Sequence, residues 1–278
     1  MDFNDVFQAV VDESGYEAAD PRYPEDVFVF AGYIGKIADW ANFTHAWKPI
    51  IEDHPELEDA EVVKKLMRWK GTKSDPRAMS LVTPIVENPR LGSIRWRLPY
   101  RALREGAKVA PGGEEMYFFA WSGVLTHAIA TILPIPKARL EFIYDQNIHE
   151  GPRVQRAYVN YRRALVRTVP ELVDRLALHA KALSDKDFWP LRAADGLAWN
   201  THRHWIRARK GKRFANPLWR SMDLGPKAID EEWNTQDVRD LLADAKGQQA
   251  LLDRRIKRIL EEAREKHRDY GFGRFSSG

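Results

Sequence analysis

One long apolar segment constrains the fold of this chain most. Residues 116–133 carry no charged side chain, although Ser122, Gly123 and His127 interrupt them. From Glu114 onward the pattern predicts a helix that is apolar on nearly every side. Its length allows a membrane span, but the polar interruptions favour a helix buried in a large core.

Short apolar strands flank this helix. Residues 92–98 alternate and predict one strand, and residues 140–145 predict another that ends at Asp145. A strand, a helix and a strand in this order form a crossover unit, which implies that the two strands are parallel neighbours. The segment therefore predicts an α/β fold.

The remaining pattern supplies further strands and helices. Residues 7–11 and 27–34 predict two strands that could pair as a long-looped hairpin, and a fifth strand could lie within 176–183. The other predicted helices cover 37–51, 59–69, 151–167, 191–207 and 235–270. The last of these has apolar positions at heptad spacing from Val238 to Ala263, so it could form a homodimer, although packing on its own domain is the more usual role.

Composition limits the possible chemistry. The 278 residues include no cysteine, which excludes disulfides and thiolate metal sites and is typical of a cytoplasmic protein. The N-terminal residues do not resemble a signal peptide, so we expect no membrane partner. The net charge of +4 permits a nucleic-acid partner without requiring one. Any metal must bind carboxylates or histidines, and carboxylates favour Mg²⁺ or Mn²⁺.

Three aspartates lie at the ends of predicted strands or within a predicted helix. Asp12 and Glu13 follow the first strand, Asp145 ends the fourth, and Asp195 lies among small residues of the helix at 191–207. Because side chains alternate along a strand, Glu13 points away from Asp12 unless the turn has already begun. Asp12 is therefore the better candidate ligand.

Three carboxylates from two strands and a helix can hold one or two divalent ions. Two ions about 3.5–4 Å apart can activate water and stabilise the leaving oxygen in phosphodiester cleavage. Spacing alone, however, favours ordinary roles for these acids as helix caps, loop residues or surface charges.

Several of these stretches together resemble a bacterial and phage family, domain of unknown function 3800. They are Val10-Val11-Asp12-Glu13-Ser14-Gly15, Phe30-Ala31-Gly32, Tyr144-Asp145-Gln146 and the helix from Leu191 through Asp195 to Trp199. The family opens with a strand that ends Asp-Glu-Ser-Gly, closes with a Leu-Gln-x-Ala-Asp-Leu-Leu-Ala-like helix, and is regarded as RNase H-like. The resemblance covers roughly residues 7–205.

The resemblance implies a mixed five-stranded RNase H-like sheet flanked by helices. Together with the predicted elements, it indicates a domain at 1–210 with a helical insertion at about residues 36–90, and the pattern of 211–278 indicates a basic linker, a long helix and a tail. It also implies that Asp12, Asp145 and Asp195 bind Mg²⁺ or Mn²⁺ in a nuclease, with no organic cofactor.

The chain departs from the family pattern at two places. Arg192 replaces the glutamine of the last motif, and the apolar helix has no acid after Glu115. A fourth carboxylate could instead come from Glu13, Asp185 or Asp187. The departures leave a non-catalytic module that binds nucleic acid or protein as the alternative to a metal-dependent nuclease.

A basic run beyond Asp195 is the candidate nucleic-acid contact. With Trp205 available for stacking, it could follow a phosphate backbone of either DNA or RNA. The candidates are Arg203, Arg207, Arg209, Lys210, Lys212 and Arg213. His149 and His202 are further candidates to assist a reaction, whereas Ser14 has no evident base partner.

Overall fold

A single mixed sheet organises the computed structural model, which describes residues 6–15, 27–68, 75–88, 90–107, 114–132, 135–146, 151–212, 219, 222 and 228–242. Its strands run in the order β5-β4-β1-β2-β3-β6. Antiparallel pairing joins β2 to β1 and to β3, and the other neighbours are parallel. The strands are β1 (Val6–Ser14), β2 (Val27–Lys36), β3 (Gly92–Pro99), β4 (Arg139–Asp145), β5 (Lys181–Leu183) and β6 (Ala228–Glu232). The predicted α/β class and the five predicted strands are confirmed, and β6 extends the sheet beyond them. The strands before and after α5, β3 and β4, are parallel, but β1 and β2 lie between them, so the prediction that they are neighbours is wrong.

Helices lie on both faces of the sheet. Short 3₁₀ turns at Pro55–Glu58 and Pro170–Leu172 supplement them. The helix α3, which was not predicted, begins after an Asp75 cap with Pro76 at its first position. The described helices are α1 (Ile37–Asp53), α2 (Ala60–Met67), α3 (Pro76–Val86), α4 (Tyr100–Ala107), α5 (Glu114–Ile132), α6 (Gly151–Thr168), α7 (Pro190–Arg209) and α8 (Thr235–Leu242).

Alternation along the strands separates two hydrophobic cores. Val11 of β1 belongs to the core that contains α5 and α6, whereas Val10 belongs to the core that contains α1, α2, α3 and α7. As predicted, α5 is buried on most sides. Within the described residues, no helix is long and apolar enough to cross a membrane.

The first strand is longer than the sequence predicted. β1 continues beyond Val11 to Ser14 because β2 runs alongside it, with Asp12 opposite Ala31 and Ser14 opposite Val29. The two acids therefore lie inside a paired strand, where alternation still governs their directions.

Two other predictions differ in extent. The fifth strand is only three residues long, Lys181–Leu183, although an isolated bridge joins Leu176 to Leu140. The C-terminal helix is seen at Thr235–Leu242, and its predicted continuation to 270, with the heptad positions after Leu242, lies outside the described residues. Trp233 and Val238 pack into the core around α5, so this segment joins the main fold.

Close packing between α5 and β3 yields a stability prediction. A Cβ at Gly123 would lie 2.1 Å from Cδ1 of Trp96, whereas one at Gly151 would meet nothing within 4 Å. We expect Gly123→Ala to lower the free energy of unfolding by about 1–3 kcal/mol, the usual cost of overpacking. Urea unfolding measures this, with Gly151→Ala as the matched control. Equal stability of both variants would contradict the packing described.

Candidate functional site

Three of the predicted acids gather on one face of the sheet. The parallel register pairs Val11 with Tyr144, so the next residues, Asp12 and Asp145, lie side by side on adjacent strands. Adjacent strands in a sheet are spaced by about 4.8 Å. Both share the face of Val10, on which α7 packs and delivers Asp195. The fold thus brings together the three residues that the sequence singled out.

These carboxylates are removed from solvent. Asp12, Asp145 and Asp195 are 7%, 5% and 3% exposed. Burial raises the pKa of Asp12 well above its usual range, and the neighbouring carboxylates of Asp195 and Asp145 raise it further. The backbone N–H of Glu13, which donates to Asp12 Oδ1 at 2.8 Å, only partly opposes this shift. The cluster therefore has an unfavourable density of negative charge.

Two cations from α2 and its end offset part of this charge. Arg68 Nη2 donates to Asp195 Oδ1 at 2.5 Å, and Lys64 Nζ lies 2.9 Å from Asp185 Oδ2. Burial still raises the pKa of Asp195 in spite of Arg68. Burial lowers the pKa of Lys64, but the surrounding aspartates outweigh it, so the net shift is upward. Sequence reasoning missed both cations, whose spacing of four residues places them on one helix face.

Small and polar residues of α7 allow α2 to pack closely against it. A Cβ at Gly196 would lie 2.8 Å from Cε and 3.1 Å from Cβ of Met67, so glycine leaves room for this side chain of α2. One turn further along, Asn200 Nδ2 donates to the carbonyl oxygen of Met67 at 2.9 Å. These contacts hold the end of α2, and with it Arg68, above Asp195.

The fourth acid of the site is Asp185. It is 3% exposed and its charge contributes to the raised pKa of Asp195, whereas Asp187 is exposed on the same turn. Arg192, the departure from the family motif, is buried and donates from Nε to the carbonyl oxygen of Asp185 at 2.8 Å. Its other nitrogens donate to the carbonyls of Leu57 and Glu58, so Arg192 joins the turn before α7 to the segment before α2.

Glu13 lies on the other side of the sheet. Tyr117 of α5 donates its hydroxyl to Glu13 Oε2 at 2.5 Å, as alternation along β1 predicts. The structure therefore does not bring Glu13 to the face of Asp12, and among the three open alternatives only Asp185 joins the cluster.

The donor set suits a hard divalent ion. All the candidate ligands are carboxylate oxygens, which Mg²⁺ and Mn²⁺ prefer, and Asp195 Oδ2 is buried with no hydrogen-bond partner. In the described part of the chain, however, no three acids or histidines already form a group able to hold a metal. The ligand chemistry fits, but Arg68 occupies the other oxygen of Asp195.

Ser14 and His202 meet beside the acids. Ser14 follows Asp12 by two residues on β1, and its Oγ lies 3.4 Å from Nδ1 of His202 on α7. The prediction that Ser14 has no basic partner is therefore wrong, although the contact is longer than an ordinary hydrogen bond. His149 lies outside the described residues.

The basic run divides into exposed and engaged residues. Arg207, Lys210 and Lys212 are exposed, and Arg213 lies outside the described residues. The guanidinium of Arg203 lies 5.5 Å from the ring centre of Trp199.

Arg209 is engaged with Trp205 and the sixth strand. Its guanidinium lies 4.8 Å from the Trp205 ring, and its Nη2 is 3.3 Å from Oε1 of Glu232. Trp205 is buried and donates its Nε1 to Glu232 Oε2 at 2.8 Å. The expectation that Trp205 is available for stacking is therefore wrong, because its ring is buried and its Nε1 is bound to Glu232 of β6.

Comparison with known proteins adds no family assignment. No family model, no curated protein and no solved structure matches the chain. The resemblance described above therefore depends on its motifs alone.

The raised pKa of Asp12 predicts how stability depends on pH. As pH rises above the ordinary carboxyl range, near 4, the unfolded chain loses the Asp12 proton before the folded protein does. Stability present at acidic pH is therefore lost as pH rises toward the raised pKa. Asparagine avoids this loss, so we expect Asp12→Asn to raise the free energy of unfolding of the metal-free protein at pH 8.

Urea unfolding with a chelator, at pH 4 and pH 8, tests this expectation. The gain should be larger at pH 8, and the exposed control Asp187→Asn should leave the free energy of unfolding unchanged at both. A less stable Asp12→Asn protein at pH 8 would contradict the electrostatic description.

Proposed function

We propose that the protein is a metal-dependent phosphodiesterase that acts on nucleic acid. The observation that carries this proposal is the placement of Asp12, Asp145 and Asp195 on one face, from two adjacent strands and a helix. Leaving aside α1–α4, the order of three strands, helix, strand, helix, strand and helix also agrees with the RNase H-like fold that the motifs imply.

Each residue of the site has a role in this proposal. Asp12, Asp145 and Asp195 would hold Mg²⁺ or Mn²⁺, with Asp185 close enough to tune the charge at Asp195. A bound ion would supply Lewis-acid stabilisation of a phosphoryl oxygen and a water reactive at neutral pH for in-line attack. Because the carboxylates must be ionised to act as ligands, the raised pKa of Asp12 predicts weaker metal binding at lower pH.

The exposed end of α7 provides a surface for the phosphate backbone. Arg207 and Lys210 lie about 18 and 22 Å along the helix from Asp195, at 1.5 Å per residue. That distance spans several nucleotides, so these cations would contact the backbone away from the bond that is cut.

Cleavage assays test the proposal directly. With Mn²⁺ and either single-stranded or duplex nucleic acid, we expect Asp12→Asn and Asp195→Asn to lower cleavage by about 100-fold or more, because each removes a charged ligand. Asp187→Asn, an exposed acid of the same region, should retain activity. Full activity of both site variants, with their folding checked by circular dichroism, would contradict the assignment.

Salt dependence tests the proposed backbone contacts. The slope of log K against log salt should become less steep by about 0.7–0.9 for each lost phosphate contact in Arg207→Ala and Lys210→Ala. Arg163→Ala removes an exposed arginine from α6, on the other face, and should leave the slope unchanged. Fluorescence anisotropy with a labelled oligonucleotide measures these slopes, and equal slopes for all variants would exclude this surface.

A non-catalytic module that binds nucleic acid is the second candidate. The Arg68–Asp195 and Lys64–Asp185 pairs favour it, because cations from the chain itself already neutralise two of the acids. This candidate predicts salt-sensitive nucleic-acid binding that persists with a chelator and produces no cut product.

A further inference from the structure

The contact between Arg68 and Asp195 leaves both partners incompletely satisfied. Arg68 uses one terminal nitrogen, Nη2, on Asp195 Oδ1, while its Nε is buried with no hydrogen-bond partner. Asp195 Oδ2 is likewise buried with no hydrogen-bond partner. A guanidinium and a carboxylate often satisfy each other through two parallel hydrogen bonds. Here charge, rather than matched geometry, holds the pair together.

Exposure separates the two partners. The side chain of Asp195 is 5% exposed and fixed on α7, whereas that of Arg68 is 41% exposed and stands at the end of α2. Arg68 can therefore turn toward solvent without disturbing the core, but Asp195 cannot. If the pair separates, Arg68 is the partner that moves.

The charges around the pair favour its replacement by a stronger cation. The negative charge of Asp12 also attracts Arg68, and the charges of Asp145 and Asp195 attract Lys64. A divalent ion would give the oxygens of Asp195 a positive partner. It would also offset the electrostatic repulsion between Asp12 and the neighbouring carboxylates. The guanidinium would then be free next to the ion, where a substrate phosphate would lie.

We propose that Arg68 exchanges partners during the catalytic cycle, releasing Asp195 to a divalent cation and binding a phosphodiester oxygen of the substrate in its place. This inference rests on the proposed nuclease function and adds a substrate-positioning role for a residue outside the three aspartates. Arginine suits the second partner because its planar fork matches phosphate as it matches carboxylate.

Two consequences follow from the exchange. Arg68 competes with metal, so removing it should tighten metal binding. Arg68 also links metal binding to substrate binding, so metal should increase the affinity of the wild-type protein for nucleic acid more than that of a variant without Arg68.

Calorimetric titration with Mn²⁺ tests the competition. We expect Arg68→Met to bind Mn²⁺ about 10-fold or more tightly than wild type, which corresponds to the loss of one competing contact. Arg101→Met is the matched control, because Arg101 forms an exposed ion pair with Glu105 on α4. Its Mn²⁺ affinity should equal that of wild type.

Anisotropy with a labelled single-stranded oligonucleotide tests the second partner. Ca²⁺, another hard cation with oxygen ligands, serves as the metal in this binding assay. We expect Ca²⁺ to raise the affinity of wild type at least about fivefold more than that of Arg68→Met. Arg68→Lys keeps the positive charge and guards against loss of folding in the methionine variant. It should bind Mn²⁺ nearly as wild type does but show a reduced metal-dependent gain, because lysine lacks the fork.

The outcomes separate this inference from the function on which it rests. Wild type that binds no Mn²⁺ overturns both. Wild type and Arg68→Met with equal Mn²⁺ affinity overturn the exchange and leave the metal site standing. An equal metal-dependent gain in oligonucleotide affinity for wild type, Arg68→Met and Arg68→Lys overturns the role of Arg68 at the phosphate.

Discussion

The burial of carboxylates beside one another is the constraint on which the rest of the site depends. Asp12, Asp145, Asp185 and Asp195 are nearly inaccessible to solvent on the face of the sheet that α7 covers. Ionised groups in such a place cost several kcal/mol each unless cations compensate them. Arg68 binds Asp195 and Lys64 binds Asp185, so two of these carboxylates have a cation as a direct partner.

Much of the surrounding structure keeps these groups together. Gly196 and Asn200 allow α2 to approach α7, and Arg192 joins the turn before α7 to the carbonyls of Leu57 and Glu58. Arg192 departs from the family motif, yet its contacts stabilise the backbone that carries Asp185. The departure thus has a structural explanation.

The sequence predicted the scaffold better than its details. Strand alternation separated Asp12 from Glu13 correctly, because the period of two depends only on the backbone. It did not predict that β1 continues past Val11, since the partner strand decides where pairing ends.

The residues that neutralise the acids were not predictable in the same way. Lys64 and Arg68 are an ordinary basic pair on a short helix, and only the tertiary contact between α2 and α7 brings them to Asp185 and Asp195. The β6 strand, whose Glu232 binds both Trp205 and Arg209, was missed for the same reason. Local patterns predict elements and their faces, whereas these pairings require the assembled fold.

The most direct test of the central claim is an anomalous difference map from crystals grown with Mn²⁺. We predict a peak within bonding distance of carboxylate oxygens of Asp12, Asp145 and Asp195, with Arg68 displaced from Asp195. A map without a peak among these residues, and with Arg68 still bound to Asp195, would contradict the account.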